Sequence, residues 1–136
     1  MDQITVNATV DQVRAVTRFI NKRLVLLGCS ERVMVHLDVA IDEIFSNIVR
    51  YAYNPNTGTA MVRIEVEEDP LCVVITFIDH GVPFDPLARQ EPDTTGLPKA
   101  KRPIGGLGLF LVKKTMDHVA YEYKDGQNIL IIRKKV

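Results

Sequence analysis

Apolar residues recur along this chain with two different periods. Ile4 and Val6 alternate with polar neighbours, which predicts a short strand over residues 2–8. From Val10 to Leu27 the spacing changes. Val13, Val16, Ile20, Leu24 and Leu27 follow at three- and four-residue steps, the period of a helix that buries one side. Thr9 is the expected N-cap, and Gly28 ends the helix. Ser30 caps a longer helix running to about Ala52, where Asn54-Pro55-Asn56 terminates it. Alternation returns over Thr59–Glu67. Asp69-Pro70 is a turn signal, and the more fully apolar Leu71–Ile78 completes a hairpin.

Residues 79–104 carry five of the seven prolines and show no hydrophobic period, so a functional loop is expected, with a lid over about 85–104. After Gly105-Gly106 a helix runs to about Asp117. Strands Val119–Tyr123 and Asn128–Arg133 follow, joined across Asp125-Gly126. Helices and hairpins are mixed rather than strictly alternating. The fold class expected is α+β: a two-layer sandwich whose mixed, mostly antiparallel sheet carries its helices on one face, in one domain spanning 1–136.

Composition narrows what such a domain binds. Lys+Arg and Asp+Glu are equal at 17 each, so the diffuse basic footprint of a nucleic-acid binder is missing. Cys29 and Cys72 have no CxxC spacing and read as reduced, small hydrophobes. His36, His80 and His118 are too dispersed to suggest a zinc site. The sequence reads without a signal peptide or a membrane-spanning stretch, so a cytoplasmic location is expected. Any ligand must be recognised by a placed constellation.

Three constellations qualify. Glu43, Asn47 and Arg50 fall within about 60° of one another on the long helix, bordering the buried arc of Leu37, Ile41, Ile44 and Ile48. Either they form a polar edge with an internal hydrogen bond, or they serve a ligand. Asp79-His80-Gly81 follows the apolar strand, where a carboxylate can accept from an exocyclic amine such as that of adenine; a plain turn is the competing reading. Gly105-Gly106-Leu107-Gly108 opens a helix, where backbone amides and the helix dipole attract an anion, with Lys101 and Arg102 just before; a flexible joint has the same composition.

The order of these stretches is more specific than any one of them. Glu43/Asn47 on a helix, Asp79-x-Gly81 after a strand, a Pro/polar lid, then Gly106-x-Gly108 resembles the Bergerat-type nucleotide-binding fold of the gyrase, heat-shock-90, histidine-kinase and MutL ATPases (GHKL). Pro83-Phe84-Asp85-Pro86, Gly105–Val112 and Tyr51-Ala52-Tyr53 resemble the small bacterial anti-sigma-factor serine kinases within that superfamily.

The resemblance implies ATP and Mg²⁺ as cofactors, with Asn47 as metal ligand and Glu43 as general base. Asp79 and Gly81 would serve the adenine; Gly105, Gly106 and Gly108, with Lys101 or Arg102, the phosphates. It implies a serine protein kinase that phosphorylates an anti-anti-sigma (STAS) protein, sequesters a sigma factor and forms a homodimer. A non-catalytic ATP/ADP-gated partner-switching regulator would carry the same motifs, as would a stand-alone ATPase. Two departures stand out. Pro83 replaces the second glycine of DxGxG, and Tyr51 stands where some relatives have histidine.

Overall fold

The computed structural model describes residues 1–88 and 106–136. Its strands are β1 (Asp2–Asn7), β2 (Thr59–Glu67), β3 (Cys72–Asp79), β4 (His118–Lys124) and β5 (Gln127–Lys135). They form one sheet in the order β1-β2-β3-β5-β4. Every pairing is antiparallel, so the expected mostly antiparallel sheet contains no parallel pair among the described residues. Helices α1 (Val13–Leu26), α2 (Glu31–Tyr51) and α3 (Gly106–Thr115) complete the α+β architecture.

One face of the sheet is the floor of the core. Val62 and Ile64 of β2, Val73, Ile75 and Phe77 of β3, and Leu130 and Ile132 of β5 are buried with Val16, Ile20 and Leu24 of α1 and Leu37, Ile41, Ile44 and Phe45 of α2. The helical residues recur at the predicted spacings, because only a stripe of that period can meet a flat surface. β3 is buried along nearly its whole length. Its central place between β2 and β5 shields even the residues of its outer face, which explains its nearly continuous apolar run.

Local signals act mostly as read. Ser30 Oγ accepts from Val33 N at 3.2 Å and caps α2. Asp125 and Gly126 both take positive φ, 54° and 76°, the paired left-handed conformation of a two-residue hairpin turn. The start of the first helix differs from expectation. A 3₁₀ turn, Val10–Gln12, precedes α1, and Thr9 makes no side-chain cap because its hydroxyl donates to Asp11 instead. Lys101, Arg102, Gly105 and most of the expected lid lie outside the described residues.

The two kinds of determinant differ in weight. Phe45→Ala, which empties a fully buried site, is expected to cost about 3–5 kcal/mol. Ser30→Ala, which removes the α2 cap, should cost about 1 kcal/mol. Urea unfolding of both variants tests that ranking.

Candidate functional site

The second half of α2 lies above the ends of β3 and β5, and a pocket forms between them. Ile44, Ile48, Phe77, Leu109 and Leu130 give it apolar walls; Asn47, Asp79, Tyr121 and Asn128 supply the polar groups. Tyr51 and Phe84 stack across it with ring centroids 4.8 Å apart and an interplanar angle of 21°. The cavity volume is about 40 Å³, room for a few ordered waters.

Asp79 sits on the core face of the sheet and is only 5% exposed. A carboxylate so placed needs donors. Gly81 N donates to its Oδ1 at 2.8 Å, and Asn128 Nδ2 donates to the same oxygen at 2.9 Å. The chain reverses tightly after Asp79, because Val82 N donates to Ala52 O at 2.9 Å. A Cβ on Gly81 would lie 2.2 Å from that carbonyl oxygen. The glycine thus lets the post-strand loop press against the end of α2. Tyr53 ties the same region together: its hydroxyl donates to Thr59 O at 2.6 Å and accepts from His80 N at 2.8 Å.

The stripe predicted on α2 is present. Glu43 Oε1, Asn47 Nδ2 and Arg50 Nη1 are buried atoms without hydrogen-bond partners, three of the seven such atoms among the described residues. An acceptor and two donors left unmatched on one stripe are costly, at roughly 1–3 kcal/mol for each group. They mark a place that a polar ligand can complete. Burial pushes the Glu43 carboxyl above its ordinary range; the Arg50 guanidinium lowers it in part, and Asp42 raises it further. The Asn47 amide also lowers it, although Asn47 Nδ2 stays outside hydrogen-bonding geometry. A carboxyl shifted in this way beside a pocket is a candidate proton acceptor.

α3 begins at Gly106, so Gly106 and Gly108 both lie in its first turn, where helical N–H groups lack intrahelical acceptors. Leu109, one residue on, lines the pocket. Six of the candidate residues are described: Asn47 and Asp79 line the pocket, Glu43 lies one turn before Asn47 on α2, and Gly106 and Gly108 stand at the start of α3. Gly81 belongs to the same site through its loop and its contact with α2.

The fold recurs in known proteins. The sequence pattern of the histidine kinase-like ATPase domain matches residues 6–134. The chain belongs to that family. Among its relatives is the serine-protein kinase RsbW of Listeria innocua, 31% identical over 110 residues that cover 78% of this chain and 69% of the relative. RsbW of Bacillus cereus is 30% identical over 120 residues, covering 82% and 74%. Among solved structures, a chain of the SiaB–SiaC complex from Pseudomonas aeruginosa shares the fold. Its TM-score is 0.58 at 16% identity, with coverage of 98% of this chain and 89% of that one.

Membership in the family accounts for the order of the motifs but not for every group at the site. Asn128 and Tyr121 escaped the sequence reading. The tyrosine hydroxyl donates to Asn128 Oδ1, and burial pushes the phenol above its ordinary range. One signal was available: Asn128 is in phase with the inward residues Leu130 and Ile132, so a polar side chain occupies a core position.

Two outcomes follow. Gly81→Ala should destabilise by about 1–3 kcal/mol, since the clash is with backbone. For Glu43, the folded carboxyl is raised, so the folded state holds a proton that the unfolded state releases. Stability then falls as pH rises from the ordinary value of 4.5 through the raised one. Glu43→Gln should remove that component, measured as urea midpoints from acid to neutral pH.

Proposed function

We propose that this protein is an ATP-dependent serine protein kinase acting as an anti-sigma factor, with an anti-anti-sigma protein of the STAS type as substrate. The observation that carries the reading is that Asn47 and Asp79 line one pocket, with Glu43 one turn before Asn47 and its buried Oε1 without a hydrogen-bond partner. The kinship with serine-protein kinases named RsbW supports the same chemistry.

In this reading adenine enters between Phe84 and the α2 wall, and its exocyclic amine donates to Asp79. The phosphates run along α2 towards Asn47, with the first turn of α3 at Gly106 and Gly108 giving amide donors. Lys101 or Arg102 reaches the γ-phosphate from the lid, and Gly105 joins the glycines that cradle the phosphates. The donor set at Asn47 fits Mg²⁺: a carboxamide oxygen is a hard ligand, and a nucleotide-bound Mg²⁺ takes few ligands from protein. When bound, Mg²⁺ neutralises charge on the β- and γ-phosphates. Glu43 accepts the proton of the partner's serine hydroxyl as the Oγ–P bond forms. The bond from the γ-phosphorus to the bridging oxygen breaks and ADP leaves. The raised proton affinity of Glu43 makes it a better base than an exposed carboxylate.

To the same proposal belong a homodimeric state, sequestration of a sigma factor and a cytoplasmic location. No helix among the described residues is long and apolar enough to cross a membrane. Single-turnover assay with labelled ATP, Mg²⁺ and the cognate STAS protein tests the reading. The wild type should yield phosphoserine on the partner, and Glu43→Gln should abolish transfer while still binding nucleotide. Undiminished transfer by the variant would remove Glu43 from the mechanism. Nucleotide-dependent binding of the partner without phosphoserine would instead identify an ATP/ADP-gated regulator.

A further inference from the structure

Asn128 lines the pocket and hydrogen-bonds to several of its elements. It stands directly across the β3–β5 ladder from Asp79 and is 6% exposed. Its Nδ2 donates to Asp79 Oδ1 at 2.9 Å and to Val82 O at 2.8 Å. Its Oδ1 accepts from Phe84 N at 3.1 Å and from the Tyr121 hydroxyl. A backbone N–H can only donate and a backbone carbonyl can only accept, so Phe84 and Val82 fix which end of the amide is which.

That orientation has a consequence for Asp79. Its Oδ1 receives two donors, from Asn128 and Gly81, which fills both lone pairs. No donor reaches Oδ2 among the described residues. Oδ1 is thus committed within the fold, and Oδ2 is the Asp79 oxygen left for a ligand.

We propose that Asn128 is a positioning residue that presents Asp79 Oδ2 as an obligate acceptor, so that the pocket selects a purine bearing an exocyclic amine over one bearing a carbonyl there. This inference rests on the ATP-site reading. Asn128 itself acts through Asp79. The same amide anchors Val82 and Phe84, so it also holds the segment that stacks on Tyr51.

Inosine triphosphate is the discriminating probe, because it replaces the amine of ATP with a carbonyl. Titration calorimetry of the wild type should show ATP binding more tightly, by roughly 10- to 150-fold, the range of a hydrogen bond to a charged group. Asn128→Asp exchanges the donor for an acceptor, and Asn128→Ala deletes it without adding charge. Both should reduce the ATP-to-inosine-triphosphate ratio about tenfold or more. The alanine variant decides if the aspartate variant does not fold. A purely structural role would weaken both nucleotides in proportion and leave the ratio unchanged, which would overturn the inference. A wild-type chain that binds neither nucleotide overturns the ATP-site reading itself.

Discussion

A carboxyl group placed on the core face of a sheet needs hydrogen-bond partners to offset its lost hydration, and the organisation around Asp79 answers that requirement. Two donors come from opposite directions: Gly81 N in the loop that follows β3, and Asn128 Nδ2 on the neighbouring strand. To bring the first into place, the chain reverses immediately after Asp79. That reversal sets Gly81 against the Ala52 carbonyl and joins the loop to α2 through Val82 N. To hold the second, Asn128 is oriented by Phe84 and Tyr121. Sheet, loop and helix are therefore fastened at one point.

The long helix α2 meets two demands at once. Leu37, Ile41, Ile44 and Ile48 bury an apolar stripe in the core, while Glu43, Asn47 and Arg50 form a polar stripe beside it. The apolar stripe fixes the height and rotation of the helix, because side chains packed at core density leave little freedom to turn. The polar groups inherit that rigidity. Their partial burial raises the proton affinity of Glu43, and Arg50 tempers the shift without forming an ion pair with it among the described residues. The unmatched atoms of this stripe cost stability.

Much of the fold was legible because its determinants are local. The periods of α1 and α2 match their buried residues, Ser30 caps α2, and Asp125-Gly126 turns the last hairpin. Thr9 shows the limit of that logic: its hydroxyl had a nearer partner in Asp11, and a 3₁₀ turn took the place of a capped helix start. Glu43, Asn47, Asp79 and Gly81 were legible as candidates through their spacing and sequence order. The purpose of Gly81 was not, since the atom that excludes a Cβ belongs to Ala52, on a different element.

By itself, the sequence determined the elements, the single buried face of each helix, and the set of polar residues bordering those faces. These follow from side-chain chemistry and from periods of two and 3.6 residues, which are properties of neighbouring positions. Only the tertiary structure decided how the polar residues are used. Asp79 and Asn128 lie 49 positions apart and meet because β3 and β5 are adjacent in the sheet. Strand order and register arise from the packing of the whole core. That packing also brings Asn47 and Asp79 into the lining of one pocket.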